Sequence, residues 1–345
     1  MAEVIKTDRM LDLFYRAMKG EALSVQDLAY EYNASTRSIS RDITSLKLFL
    51  AEHGDSLGYA ELVWDGQDRT YHLEMDDFIS NRELLAMVKV LIGARPFNQK
   101  ELLTLINKLK AHTSYKDRKK LEELILKEIY NYPAVNADCD SVIDRCWQLT
   151  EYIHEKRILS VEYIKMDRTT VKHRILPLSI LFTEYYYYLI AYECDDADGE
   201  VESVRSRDGH RVLSFLHGGL SVPHYFRADR ITDITAHREY FHLTRAQEFD
   251  ESILRQRSQF MWPGELQVIR FEFTGPSVQA ILDRLPTAKI IDYSHKKYTI
   301  DATVYGDGIL MYLLSQGPWV RVISPESLAE KMKEKISAMA ELYKL

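Results

Sequence analysis

Cysteine is scarce in this chain: Cys139, Cys146 and Cys194 are the only three in 345 residues. They are scattered and none stands in a C-x-x-C pair. That excludes a disulfide framework and a paired-thiol metal motif, and it points to a reducing compartment. Long apolar runs are missing too. The opening residues, MAEVIKTDRM, lack the hydrophobic stretch of a secretory signal. No window approaches the roughly eighteen consecutive apolar residues of a membrane-spanning helix. The expected location is therefore the cytoplasm, with no membrane partner. An excess of positive charge is also absent. Formal net charge is −7, and residues 1–58 hold seven Lys/Arg against nine Asp/Glu. Any affinity for nucleic acid must then come from a local basic face, because bulk attraction to phosphate is not available.

Catalytic signatures are missing as well. There is no G-x-x-x-x-G-K-[ST] phosphate loop and no G-x-G-x-x-G turn. No H-E-x-x-H or G-x-S-x-G appears. The run Asp196-Ala197-Asp198-Gly199 resembles the start of a calcium loop. Aligning its glycine, however, puts Cys194 at the first ligand position and Arg205 where a bidentate carboxylate belongs. His210 and His217 stand too far apart for a helical metal pair. Cys139 and Cys146 are expected to share a helix face as small hydrophobes. The expectation is a non-enzyme with no catalytic residue, metal or cofactor.

What is present is an ordinary folded composition, 46% hydrophobic and 28% charged. The chain is too long for one core. Residues 8–53 read as three helices. Leu11, Phe14, Tyr15 and Met18 repeat at helical spacing before Gly20. Ser24 caps a second helix, with Asp27 in its first turn. Ser35 caps a third, in which Ile39, Ile43, Leu46 and Leu50 share one face. Residues 59–64 and 69–74 look like paired strands joined through Asp65-Gly66. Residues 80–131 are helical and amphipathic, and a further helix is expected over about 138–156. Strands follow in ILSVEYIKM, TVKHRIL, LSILF, YYYYLIAYE, VPHYFRA and RITDITA, then a short helix near 244–257. The last eighty or so residues alternate strand and helix, as in a small α/β sandwich.

Two helices that cross closely need a small residue at the contact and a left-handed position at the turn. Ala29 and Asn33 meet those needs, with Leu28, Tyr32, Ile39 and Ile43 locking the pair. The third helix then exposes Ser35, Thr36, Arg37, Ser38, Ser40, Arg41 and Thr44. That surface is short, polar and donor-rich, as reading a major groove requires. The hairpin behind it, with Arg69 and Tyr71, would be a wing. A structural three-helix bundle with solvated arginines has the same apolar pattern. The run Arg37-Ser38-Ile39-Ser40-Arg41-Asp42-Ile43 resembles the recognition helix of winged-helix regulators that carry an R-x-I-x-R-D-I core. That resemblance implies a helix facing DNA, with Asp42 orienting Arg41.

A second resemblance covers the middle of the chain. HRILPLSILF, with Arg174 and Pro177, is similar to an R-x-x-P-x-x-L segment. Tyr187-Tyr188-Leu189 stands where a Trp-Tyr-Leu signature would, and HYFRADRI is similar to F-R-L-D-R-I through Phe226, Arg227, Asp229, Arg230 and Ile231. Taken in order, these resemble the WYL domain, a small Sm-like β-barrel found behind helix-turn-helix modules in bacterial regulators. WVRVISPESLAEKM is similar to the WCX-type extension that follows it. Tyr187 departs from the family's tryptophan, and His224 stands where another arginine is common. The stretch 194–221 is longer than usual and mixes acidic and basic runs.

The resemblance implies a multidomain α+β chain. Its parts are a winged helix-turn-helix over 1–76, a helical linker over 77–137, a WYL sensing domain over 138–243 and a WCX-like α/β domain over 244–345. It also implies a nucleotide or single-stranded nucleic-acid effector. Arg174, Arg227 and Arg230 are expected to converge on its phosphates, with Tyr188 stacking on a base and His224 beside them. Alternating strand surface and ordinary ion pairing explain the same residues without a ligand. The function expected is a ligand-responsive transcriptional regulator, bound to double-stranded DNA as a homodimer on a pseudo-palindrome. The alternative is an accessory protein that binds single-stranded nucleic acid beside a defence or repair enzyme.

Overall fold

The periodicity near the N-terminus builds three helices, α1 (Lys6–Met18), α2 (Val25–Glu31) and α3 (Thr36–Glu52). In the computed structural model, residues 6–53, 59–75, 79–111, 118–135, 139–194, 201–206, 210–215, 222–244 and 250–344 are described. The calcium-like run 196–199 and His217 lie outside them. Ser24 and Ser35 cap α2 and α3, accepting from the amides of Asp27 (3.3 Å) and Ser38 (3.1 Å). Asn33 holds the turn between them at φ 49°, the left-handed conformation that asparagine tolerates. The α1 stripe is one residue away from the expected set. Leu13 and Ala17 are buried with Phe14 and Met18 against them, whereas Leu11 and Tyr15 are 63% and 57% exposed. Both sets have helical spacing, and packing against Ile39, Ile43, Leu46 and Leu50 selects the buried one.

Strands β1 (Ala60–Asp65) and β2 (Thr70–Met75) pair antiparallel. Asp65 Oδ1 accepts from the amides of Gln67 (2.8 Å) and Asp68 (3.3 Å), which closes the turn. Leu23 and Tyr71 exchange two backbone bonds of 2.9 Å, so the hairpin is stitched to the segment between α1 and α2. Three amphipathic helices complete this part of the chain: α4 (Asn81–Ala94), α5 (Gln99–Ala111) and α6 (Arg118–Tyr130). The chain divides into two compact units, 1–137 and 138–345.

The second unit opens with α7 (Val142–Glu155). Cys139 precedes that helix, so it does not share a helix face with Cys146 as expected. A seven-stranded sheet follows, of β3 (Arg157–Ile164), β4 (Thr170–Thr183), β5 (Tyr186–Glu193), β6 (Val201–Arg205), β7 (Arg211–Phe215), β8 (His224–Arg227) and β9 (Ile231–His242). Its order is β6-β7-β9-β3-β4-β5-β8, and β6 and β8 are its two edges. Two separate strands were expected over 170–182, but β4 is continuous. It tolerates Pro177 because a register shift lies between Pro177 and Ser179, where a proline costs no ladder bond. One face of the sheet (Leu159, Val161, Ile175, Leu189, Ala191, Phe226) packs on Leu149 of α7.

After α8 (Glu251–Arg257), the C-terminal residues form a four-stranded antiparallel sheet, order β11-β12-β10-β13. Its strands are β10 (Leu266–Phe273), β11 (Lys289–Ser294), β12 (Lys297–Tyr305) and β13 (Val320–Ser324). Ile269, Phe271, Phe273, Ile300, Ala302 and Val304 form its buried face. Helices α9 (Val278–Arg284), α10 (Gly308–Ser315) and α11 (Glu326–Leu342) cover it through Ile281, Leu313, Leu328 and Met332. The whole is a mixed α/β chain of several parts.

Candidate nucleic-acid interface

On α3, the spacing 37, 40, 41, 44 places Arg37, Ser40, Arg41 and Thr44 on one side of the helix. All four are exposed, as are Ser35 and Thr36, while Ser38 is half-buried. Arg37 and Arg41 enter no ion pair or hydrogen bond among the described residues. The short side chains are partly engaged. Ser35 and Ser38 hydroxyls lie 2.9 Å apart at the cap, and Thr44 donates to the Ser40 carbonyl at 2.8 Å. Asp42 does not orient Arg41. It points the other way, buried, and accepts from Arg9 Nε of α1 at 2.6 Å. The acid thus ties α3 to α1, which leaves the opposite face of α3 free. Arg69 is exposed beyond the hairpin turn at φ 55°. Tyr71 lies under Lys47 of α3, with Nζ 4.8 Å from the ring centre, so the hairpin is seated on that helix.

In the second unit, the pairing of β5 with β8 sets Tyr188 opposite Arg227. Arg227 lies 3.4 Å from the Tyr186 ring centre, and Asp229 takes it in a bidentate grip, Nη2 to Oδ2 at 2.6 Å and Nε to Oδ1 at 3.1 Å. Burial opposes its charge, yet the bonds and charge of Asp229 outweigh that and raise its pKa. Burial likewise pushes the Tyr188 phenol up. A planar cation is thus stacked on the Tyr186 ring at a sheet edge, an arrangement that suits base stacking and phosphate contact. Arg230 follows in the 3-10 turn Ala228–Arg230, half-buried, with no ion pair among the described residues. His224 Nδ1 lies 3.8 Å from Glu193 Oε1, which also takes His173 Nδ1 at 2.6 Å.

Arg174 is not part of this cluster. Its carbonyl accepts from the amide of Cys194, just past the end of β5 and six residues on from Tyr188, which corresponds to about 20 Å of extended chain. It pairs with Glu239, which also holds Arg211 at 2.7 Å. Beside it, Ser160 Oγ and His237 Nε2 lie 2.8 Å apart. Burial, and then Arg174, hold the His237 pKa below its usual value. Against the expected three-arginine convergence, Arg174 therefore stands in a separate cluster from Arg227, and Arg230 lies three residues beyond Arg227 in the chain.

Sequence reasoning missed Tyr186, Glu193, Glu239 and the His237–Ser160 pair, because partners across a sheet carry no signal in linear spacing. Asp229 was within reach, two residues beyond Arg227. Among the described residues no helix is long and apolar enough to cross a membrane, and no group of three or more His, Cys, Asp or Glu is placed to hold a metal.

Residues 146–205 match the family model "WYL domain". That stretch contains Arg174 and Tyr188 and ends before His224, Arg227 and Arg230. No curated protein matches the chain. Among solved structures, the proteasome accessory factor B/C (PafBC) of Arthrobacter aurescens aligns at 16% identity and a TM-score of 0.29, covering 98% of this chain and 48% of that one. The chain thus spans about half the length of that protein. A structure titled as a CRISPR Cas-related protein aligns at 13% identity and a TM-score of 0.38, covering 100% of this chain and 88% of that one. Likeness at this level carries no argument about mechanism. The sequence match shows a WYL domain over residues 146–205.

Proposed function

We propose that the chain is a DNA-binding transcriptional regulator whose WYL domain senses a nucleic-acid fragment or nucleotide. One observation carries the reading: a polar surface on α3 with two exposed arginines, freed because the buried Arg9–Asp42 pair takes the only acid of that helix's motif. Ser35, Thr36, Arg37, Ser38, Ser40, Arg41 and Thr44 would face the major groove, and Arg69 on the hairpin would approach a neighbouring phosphate. The finer architecture belongs to the same proposal. It comprises a winged helix-turn-helix over 1–76, a helical linker over 77–137, an Sm-like barrel over 138–243 and a WCX-like domain over 244–345. So does a homodimer on a pseudo-palindromic operator. Tyr188, Arg227, Arg230 and His224 are the proposed effector contacts, and Arg174 a separate, more distant one.

The test is an unbiased selection of bound duplexes, followed by mobility shifts with Arg37→Ala and Arg41→Ala. Each substitution should cost about tenfold or more in specific affinity, the range for a lost arginine–guanine contact, with the circular-dichroism spectrum unchanged. Unaltered affinity in both variants sinks the α3 assignment. Binding of single strands in preference to duplex favours the accessory-protein alternative.

A further inference from the structure

A cavity of about 220 Å³ lies in the second unit, where α8 and the end of β12 cover the sheet. Its walls include Tyr192, Tyr225 and Tyr305, the apolar Ile253 and Leu254, and Asp250. Two tyrosines come from one sheet face. Tyr225 stands opposite Ile190, and Tyr192 is two positions further along β5, so both rings project to the same side. Tyr305 ends β12 and is held there by the meeting of Gly264 with Gly306. A Cβ on Gly264 would fall 2.4 Å from Gly306 Cα, and one on Gly306, at φ 59°, would fall 2.5 Å from the Pro263 carbonyl oxygen. Asp250 precedes α8. Its Oδ1 accepts from the amides of Ser252 (2.8 Å) and Ile253 (3.3 Å), and Oδ2 has no partner among the described residues.

The chemistry of these walls is one-sided. The Ser252 hydroxyl and the two amides hold Asp250 below the usual carboxylate range, so it stays ionised. Burial pushes Tyr225 up to about 12 and raises Tyr192. Tyr305 lies near enough to both that its own charge would add to each shift. Tyr192 and Tyr225 are thus held against ionisation. No Lys or Arg is among the described wall residues. An anion entering here would meet one fixed negative charge and three electron-rich rings. A cation would meet the solvent-exposed Asp250 carboxylate and aromatic walls, a combination that favours ammonium groups. The volume is also below the roughly 300 Å³ at which drug-sized sites begin, too small for a dinucleotide.

We propose that this cavity is a second ligand site, for a small organic cation such as a quaternary or protonated amine. It adjoins the effector contacts proposed above: Tyr188 packs in the same cluster as Tyr225 and Tyr305, and Tyr225 and Arg227 lie two residues apart on the same face of β8. An occupant would pack against the strand that carries the arginine.

The test titrates the full chain with choline chloride and, separately, with its neutral isostere 3,3-dimethylbutan-1-ol. Ionic strength is held constant and binding is followed by saturation-transfer NMR. Choline should bind saturably and at least tenfold more tightly than the alcohol. Asp250→Asn keeps a residue suited to the cap and should weaken choline about fivefold. Tyr305→Leu should weaken it further, with folding checked by circular dichroism. No saturable binding, equal binding of the alcohol, or an affinity unchanged in Asp250→Asn would each overturn the proposal. No DNA is present in the assay, so such a failure is distinct from failure of the regulator reading.

Discussion

At the scale of single residues, Asp42 shows how a motif and a fold divide one side chain's duties. Its carboxylate is 2% exposed and its partner Arg9 11%. Removing either partner leaves a buried charge without compensation, the situation that costs most in a protein interior. Arg9→Ala is therefore expected to lower stability by about 3 kcal/mol in chemical denaturation, while Arg41→Ala on the exposed face stays within about 0.5 kcal/mol. The motif resemblance assigns Asp42 the task of orienting Arg41, and its burial against Arg9 corrects that. Positions 39, 42, 43 and 46 share one side of α3 by three-four spacing, and in the structure all four are buried.

His237 gives a pH-dependent counterpart. Its folded pKa is depressed by burial and by Arg174, so between the folded value and the unfolded value near 6.5 the unfolded chain binds more protons. The stability it contributes is present above about pH 6.5 and is lost as pH falls below it. Thermal midpoints measured between pH 7.5 and 5.5 should drop less steeply in His237→Gln than in the parent. Parallel curves would remove His237 from the account.

Among elements, register decides which residues can act together. Tyr188 and Arg227 are neighbours because β5 and β8 pair, although they lie 39 positions apart in the chain. Arg174 is bound to the far end of β5 and neutralised by Glu239. Arg227→Ala is thus expected to abolish the response of DNA binding to a single-stranded effector, and Arg174→Ala to leave most of it. Fluorescence anisotropy on an operator duplex with added oligonucleotide separates the two. A loss in Arg174→Ala equal to that in Arg227→Ala would argue for one shared site. Strands β6 and β7 escaped sequence reading because each is five residues long and set among charges, too short to declare an alternation. In the C-terminal sheet, by contrast, LQVIRFEF and KYTIDATVY alternate cleanly and became β10 and β12 with those ends.

For the whole molecule, the proposed homodimer needs an apolar surface that the fold leaves open. Helix α11 buries only Leu328 and Met332, and Ile336, Met339 and Tyr343 follow at helical spacing, exposed. A charge placed in such a stripe should oppose association. Ile336→Glu with Met339→Glu is expected to shift the mass in sedimentation equilibrium from two chains to one, and to weaken binding to a two-half-site duplex by at least tenfold. A parent that sediments as a single chain at micromolar concentration rules the dimer out.

Local pattern determined a good deal by itself. Caps at Ser24 and Ser35, the left-handed turn at Asn33 and the stripe on α3 are interactions within a few residues, and short-range sterics and hydrogen bonding leave few alternatives. What only the tertiary structure decided is which charges face each other. Arg9 on Asp42, Arg227 on Tyr186 and Asp229, Arg174 on Glu239, and three tyrosines around one cavity all depend on strand register and helix docking. Those are set by the burial of distant apolar faces against each other, and linear spacing does not record that.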